Sequence, residues 1–118
     1  MYNLIFSKII DSDIDQSYSY IKDILEAPIA AENMFTELYK KINEILENPY
    51  KRPIMQDKYL ASFGIRSINV KKYVLYYTIS ENENTVIVLR FMHQLRDRIN
   101  ILKENPIEGI LWKMQNNV

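Results

Sequence analysis

The stretch IRSINVKKYVLYYTISENENTVIVLRF, which covers residues 65–91, holds three runs of β-branched, aliphatic and aromatic residues. The dipeptide Lys71-Lys72 separates the first run from the second, and the polar segment SENEN at 80–84 separates the second from the third. Short polar connections between extended apolar runs are typical of β-hairpins. The second half of the chain is therefore predicted to form a meander of three antiparallel strands.

The first half of the chain has a different spacing. A short aromatic and aliphatic run at 2–6 predicts one more strand. Beyond it, apolar residues recur every three or four positions in two stripes, which predicts two amphipathic helices. The first stripe is Ile14, Tyr18, Ile21 and Leu25, and the second is Met34, Leu38, Ile42 and Ile45. Because only Ala27-Pro28 separates the two helices, they are expected to form an antiparallel hairpin.

A last helix is predicted at about 94–103, where apolar residues again recur at helical spacing (Leu95, Ile99 and Leu102). The Asn-Pro dipeptide at 105–106 ends it, so we expect one domain over 1–104 and a short tail over 105–118. The element order is then β-α-α-β-β-β-α. This order predicts an α+β fold in which a helical hairpin packs on a mainly antiparallel four-stranded sheet.

Composition argues against several classes of protein. The chain has no cysteine, so it has neither a disulfide framework nor a thiolate zinc site, which fits a reducing cytoplasm. No apolar run approaches the ~18 residues of a membrane span, and no signal peptide opens the sequence. A single histidine makes a transition-metal site unfavourable. We therefore expect a cytoplasmic protein with no membrane contact, no metal and no cofactor.

The zero net charge conceals a division along the chain. Residues 1–50 contain four lysines and nine acids, which gives 4 − 9 = −5. Residues 51–118 contain eleven lysines and arginines and six acids, which gives 11 − 6 = +5. The second half is thus a candidate face for an anionic partner, unless its charge neutralises the acidic helices within the fold.

The strongest concentration of charge is RFMHQLRDR at 90–98, directly after a predicted buried strand. Arg90 alternates with Val86 and Val88, opposite Ile87, Leu89 and Phe91. Two readings of Arg90 stay open: a surface cation, or a buried arginine paired with Asp97 or with a glutamate from a helix. His93, at the junction of strand and helix, is either a capping residue or a ligand-binding one.

Nine tyrosines could suggest a stacking surface for nucleic acid. Five of them fall within helical or strand patterns, so we interpret these as packing residues: Tyr18, Tyr20, Tyr73, Tyr76 and Tyr77.

Four segments, taken in order, resemble the RelE/ParE superfamily of bacterial toxins from type II toxin–antitoxin pairs. They are FSKIIDSDIDQSYSYI (6–21), APIAAENMF (27–35), DKYLASFGIRSINVKKYVLYYTI (57–79) and VIVLRFMHQLRD (86–97). The resemblance spans roughly residues 2–103. It implies the fold predicted above, growth inhibition by a toxin of a plasmid stabilisation module, and a cognate antitoxin as partner.

The superfamily contains two mechanisms. RelE-like members are ribosome-dependent ribonucleases that cut messenger RNA, whereas ParE-like members poison DNA gyrase. The resemblance to the nucleases would make His93 the acid–base group and Arg66 and Arg96 the cations of catalysis. The nucleases, however, carry a basic residue where this chain has Val74 and a tyrosine where it has Asn100. The His-x-x-Arg-Asp spacing instead resembles the ParE-like branch, which acts by binding.

The residues expected to bind the target or the antitoxin are cationic. They are Arg66, Lys71, Lys72, Arg90, Arg96 and Arg98. Two alternatives stay open for Arg66: it shares a cationic cleft with Arg90 and Arg96, or it covers the edge of the sheet. Gyrase is the favoured target, with the ribosome and its messenger RNA as the alternative. A degenerate member that serves only as an interaction module is a third hypothesis, and both a homodimer and a toxin–antitoxin hetero-oligomer stay open.

Overall fold

The computed structural model describes residues 2–104, apart from the side chains of Arg98 and Glu104. The predicted tail at 105–118 and its boundary lie outside the described residues. The strands are β1 (Asn3–Phe6), β2 (Arg66–Val70), β3 (Tyr73–Ser80) and β4 (Thr85–His93). The helices are α1 (Ile10–Ser19), which continues into a π-helical turn (Tyr20–Ile24), α2 (Pro28–Glu47), α3 (Lys58–Ser62) and α4 (Arg98–Glu104).

The four strands form one sheet in the order β1-β4-β3-β2. Strands β2, β3 and β4 pair antiparallel, which confirms the predicted meander. Strand β1 pairs with β4 in the parallel direction. Parallel pairing needs a long crossover connection, and here the helical hairpin and strands β2 and β3 provide it. The predicted α+β fold is confirmed.

Helix α2 carries the predicted core stripe on the inner side of the hairpin. Its buried residues are Ala31, Met34, Leu38, Ile42 and Ile45. Pro28 occupies the first turn of the helix, where its missing N–H costs no hydrogen bond. This stripe packs against one face of the sheet, which supplies Ile68, Val70, Tyr73, Leu75, Tyr77, Val86, Val88 and Phe91. The prediction for α2 is confirmed.

The first helix departs from its predicted stripe near its end. Ile21 is buried, and Ile14 and Tyr18 are half-buried, but Leu25 is 55% exposed. The cause is the π-helical turn at Tyr20–Ile24. Each residue of a π-helix turns the chain through a smaller angle than in an α-helix, so α-helical spacing no longer predicts which face Leu25 occupies. The prediction that Leu25 belongs to the core was wrong.

The other face of the sheet is covered by elements that the sequence patterns described poorly. Helix α3 was not predicted; the carboxylate of Asp57 caps it by accepting a hydrogen bond from the Leu60 N–H at 3.1 Å. Helix α4 begins at Arg98, later than predicted, and Leu95 before it is 84% exposed. The second core on this face consists of Leu60, Ile65, Val74, Tyr76, Leu89, Met92 and Leu102.

Helix α4 starts late because the sheet extends further than expected. Strand β4 continues to His93, and the Gln94 N–H donates to the carbonyl of Lys72 at 2.8 Å. The chain then needs a turn before a helix can begin. The inclusion of Leu95 in the last helical stripe was therefore wrong.

A bulge in β4 changes which side chains face the helices. Tyr76 pairs with Arg90 while Tyr77 pairs with Val88, so Leu89 is an extra residue in the strand. An extra residue inverts the alternation of faces beyond it. Phe91 consequently lies in the same core as Val88, although simple alternation had placed the two on opposite faces.

Candidate partner-binding site

Arg90 is a structural residue inside the protein. It is only 5% exposed, and its guanidinium holds the carboxylate of Asp13 with two hydrogen bonds, 2.7 Å from Nε and 3.0 Å from Nη2. The alternative in which Arg90 is buried and paired is therefore correct, but its partner is neither Asp97 nor a glutamate. Arg90 supplies no surface cation, which corrects its prediction as a binding residue.

The position of Asp13 follows from the short length of β1. The last pair between β1 and β4 joins Phe6 to Val88, so the remaining edge of β4 has no strand beside it. Ser7 takes the next backbone groups: its N–H donates to the Val88 carbonyl at 2.9 Å and its Oγ to the Leu89 carbonyl at 2.6 Å. Asp13 then accepts the N–H of Phe91 at 3.0 Å. Two polar side chains thus replace the missing strand.

A signal for this role of Asp13 was present in the sequence. Asp13 lies three positions after Ile10 and four before Ser17, both of which are buried on the inner side of α1. An aspartate on the apolar side of a helix needs a partner.

Arg66 lies at the opposite end of the sheet from His93. It pairs across the sheet with Tyr77, whereas His93 pairs with Tyr73, four residues along β3. At about 3.3 Å per residue, this separates the two backbone positions by about 13 Å along the strand direction alone. Arg66 donates to the carbonyl of Arg52 and lies over the ring of Tyr50, 5.3 Å from its centroid. A cleft shared with Arg90 and Arg96 does not form, because Arg90 is buried and the cavity lined by Arg96 does not include Arg66.

His93 has a capping role in the turn that follows β4. Its Nδ1 accepts a hydrogen bond from the Leu95 N–H at 3.1 Å, and its ring meets Tyr73 edge to face with centroids 5.2 Å apart. An Nδ1 that accepts an N–H carries no proton, so in this geometry the neutral ring holds its proton on Nε2. His93 can then offer a donor to a ligand, but not a basic Nε2.

Two adjoining cavities meet at this end of the sheet, and both are lined by Tyr20, Tyr73 and His93. We call them together the tyrosine groove. The cavity beside the helices has a volume of about 420 Å³ and is also lined by Ile21, Leu25, Ala30, Asn33, Met34, Lys71 and Lys72. The cavity beside β4 has a volume of about 500 Å³ and adds Asp13, Gln16, Ser17, Phe91, Met92, Leu95 and Arg96.

The tyrosine groove has an apolar floor and a cationic rim. Lys71 and Lys72 form the two-residue turn between β2 and β3, and Arg96 lies in the turn after β4. Lys71 has a φ of 57°, in the left-handed region that normally favours glycine. Within residues 2–104, none of these three cations takes part in an ion pair. Their role in binding stays a prediction, and the side chain of Arg98 lies outside the described residues.

Tyr20 and Tyr73 are groove residues that the sequence interpretation had treated as packing residues alone. Tyr20 is 48% exposed on the π-helical turn, while Tyr73 is buried beneath the groove. Burial raises the pKa of the Tyr73 hydroxyl, so it stays protonated as a neutral hydrogen-bonding group. Tyr20 lies outside the predicted apolar stripe of α1, and that displacement was the available signal.

Two classes of site are absent from the described part of the chain. No three His, Asp or Glu side chains there are grouped so that they could hold a metal ion. None of the helices between residues 2 and 104 is long and apolar enough to cross a membrane.

The fold is similar to those of known toxins. A chain of the chromosomal ParDE toxin–antitoxin system from P. aeruginosa superposes with a TM-score of 0.62 at 13% identity, covering 79% of this chain and 96% of that one. A metal-bound toxin from Helicobacter pylori gives 0.57 at 20% identity, covering 81% and 100%. The E. coli RelE toxin gives 0.50 at 18% identity, covering 91% and 99%. A comparison with curated protein sequences finds no match.

These structures define one class of small α+β fold, and this chain has that fold. Within that class, the model of the family "ParE toxin of type II toxin-antitoxin system, parDE" matches residues 4–98. The chain belongs to this family of ParE toxins. Membership confirms the resemblance proposed from the sequence, and it implies a cognate antitoxin as partner.

Proposed function

We propose that this toxin inhibits bacterial growth in the cytoplasm by binding DNA gyrase, and that its antitoxin neutralises it within a plasmid stabilisation module. In this proposal the tyrosine groove is the surface that the target and the antitoxin compete for. The observation that carries the proposal is an apolar groove with three cations on its rim that take part in no ion pair within residues 2–104.

The groove has the chemistry of a protein-binding surface. Its floor combines aromatic and aliphatic side chains, which supply most of the free energy in protein interfaces. Lys71, Lys72 and Arg96 around it would steer and orient a segment that carries carboxylates. A segment with apolar anchors and acidic flanks therefore fits both parts of the groove.

Binding is also favoured by what surrounds His93. Using Nε2 of the ring as a general base would require a proton on Nδ1, and that proton would face the Leu95 N–H. Val74, where the nuclease branch carries a basic residue, is buried in the core on the other face of the sheet. Asn100, where that branch carries a tyrosine, donates to the carboxylate of Asp97 at 2.7 Å.

A second candidate function is the ribosome-dependent cleavage of messenger RNA. One observation favours it: the cavity beside β4 gathers His93, Arg96 and Tyr20 around a single space. A donor, a cation and a phenol in one cavity could bind a phosphate and stabilise charge on it. Arg66 takes no part, because it lies at the far end of β2.

Expression of the toxin separates the two functions. We expect plasmid supercoiling to fail before protein synthesis does, and purified toxin to inhibit gyrase in a supercoiling assay. His93→Gln removes one contact of the groove and should weaken that inhibition by less than about tenfold, whereas replacement of a catalytic histidine would reduce cleavage by about 10²-fold or more. Ribosome-stimulated cutting of messenger RNA that His93→Gln abolishes would overturn the proposal.

A control for the groove uses Lys71→Gln combined with Lys72→Gln, with Lys51→Gln as the matched change at an exposed lysine outside the groove. The double variant should inhibit gyrase less strongly and the control should not. Wild-type protein that neither slows growth nor inhibits gyrase would support the hypothesis of a degenerate interaction module.

A further inference from the structure

A second apolar cleft lies on the helical hairpin and shares no lining residue with the tyrosine groove. We call it the aromatic cleft. Its volume is about 320 Å³, and it is lined by Phe6, Asp11, Ile14, Asp15, Phe35, Leu38, Tyr39 and Ile42. The end of β1 borders it on one side and the middle of α2 on the other.

The rings of the aromatic cleft are exposed but already ordered by one another. Phe6 is 43% exposed and Tyr39 is 58% exposed. Tyr39 stacks on Phe35 with centroids 5.3 Å apart, and Phe35 meets Tyr18 edge to face at 5.7 Å. A ring held in this way loses little conformational entropy when a partner covers it, which favours its use in binding.

The charge at this cleft is negative. Asp11 and Asp15 are both exposed and lie four positions apart on α1, where like charges repel. In the described part of the chain neither carboxylate has an ion-pair partner. Asp11 gains from the helix dipole in the first turn, but Asp15 lies beyond that turn. The folded hairpin thus tolerates a repulsion that a cationic ligand would relieve.

We propose that the aromatic cleft binds a cationic segment of the antitoxin. The lysines or arginines of this segment contact Asp11 and Asp15, and an apolar side chain enters the cleft between Phe6 and Tyr39. This inference rests on the proposed function, in which the antitoxin also covers the tyrosine groove. Because the groove is cationic and the cleft is anionic, the antitoxin carries two apolar segments of opposite charge. That arrangement orients the antitoxin on the toxin, since the reversed placement would bring like charges together.

The test uses the full-length toxin and the antitoxin encoded beside its gene. The dissociation constant is measured for wild-type toxin and for Asp11→Asn combined with Asp15→Asn, at low and high salt. We expect binding about five- to tenfold weaker at low salt, with the difference shrinking at high salt. Asp23→Asn is the matched control, because Asp23 is exposed on the π-helical turn and lines neither site.

A second variant tests the apolar half of the inference. Tyr39→Ala removes an exposed ring, so the fold should survive, and we expect antitoxin binding to weaken by about tenfold or more. Unchanged affinity in both variants overturns the inference, and so does tighter binding by the double aspartate variant, because it would place an acidic segment at the cleft. A toxin that is dimeric alone and monomeric as Tyr39→Ala would identify a second copy of the chain as the occupant, which also overturns it.

The failure of this inference differs from a failure of the proposed function. If Lys71→Gln with Lys72→Gln weakens antitoxin binding and the aspartate variant does not, the tyrosine groove binds the antitoxin and the aromatic cleft does not. If only the aspartate variant weakens antitoxin binding, the aromatic cleft binds the antitoxin and the proposed role of the tyrosine groove is wrong.

Discussion

Arg90 and Arg96 belong to one cluster in the sequence but to different environments in the fold. Arg90 is buried and holds Asp13 with two hydrogen bonds, so its charge is paired inside the protein. Arg96 is exposed at the rim of the tyrosine groove and has no ion pair in the described part of the chain. Six positions separate a residue that stabilises the fold from one that is available to a partner. Two arginines of one sequence cluster therefore have different roles.

The largest expected effect on stability comes from removing the buried partner of Arg90. Asp13→Ala leaves the guanidinium of Arg90 and the N–H of Phe91 without their acceptor, and should destabilise the protein by about 3–5 kcal/mol. Urea unfolding of the purified variant measures this loss. Arg96→Gln, the matched change at the exposed arginine, should alter stability by less than about 0.5 kcal/mol. Equal losses in the two variants would contradict the division of roles.

The next largest effect concerns the apolar core between the helical hairpin and the sheet. Leu38→Ala removes a side chain that is 1% exposed between the hairpin and the sheet, and should cost about 2–5 kcal/mol. A denaturant titration that is monitored by circular dichroism measures this loss of stability. Tyr39→Ala, one position along the same helix but 58% exposed, provides the contrast and should cost much less. A loss below about 0.5 kcal/mol at Leu38 would show that α2 does not pack as described.

A smaller effect, of opposite sign, is expected at the groove. Lys71→Gly relieves a left-handed backbone conformation and should stabilise the fold by about 1 kcal/mol. The same change removes a rim cation, so antitoxin binding should weaken in a salt-dependent way. Thermal unfolding and a binding titration on the same sample test both parts. Lys72→Gln, at a position without positive φ, should weaken binding without the gain in stability.

The smallest effect involves Asp57, whose carboxylate is only partly buried and links α3 to α4. Its pKa is lowered, chiefly because it accepts the Leu60 N–H, with Lys103 at 3.2 Å adding to the shift. A lowered folded-state pKa means that the carboxylate stabilises the fold above about pH 4 and loses this contribution as the pH falls further. Asp57→Asn should thus be less stable than wild type at pH 7, and the difference should shrink by pH 3.

Urea unfolding at the two pH values measures the contribution of Asp57. Lys103→Gln keeps the helix cap and should show a smaller difference at pH 7. A difference between Asp57→Asn and wild type that grows on acidification would be the wrong sign for this account.

Local patterns predicted most of the element order but less of the detail. The stripe of α2 repeats at helical spacing, and the turns at Lys71-Lys72 and 80–84 are polar breaks between apolar runs, so local patterns located them. The first position of α4, the π-helical turn and helix α3 were missed. Helix α4 starts late because β4 extends to His93 and Gln94 pairs with Lys72. Helix α3 has only five residues and one buried apolar side chain, so it shows no periodic stripe. Among the site residues, the sequence indicated Lys71, Lys72, His93 and Arg96, and the structure gathers them around one groove.

The sequence by itself determined the α+β architecture and the resemblance to the ParE family, because hydrophobic periodicity and short ordered motifs are properties of neighbouring residues. Only the tertiary structure decided which charges are internal. Asp13 and Arg90 are 77 positions apart, and they meet because β1 ends before β4 does and leaves backbone groups to be satisfied. The bulge at Leu89 likewise moves Phe91 to the face that packs on the helices. Such contacts depend on which chain segments end beside one another, which no local spacing can specify.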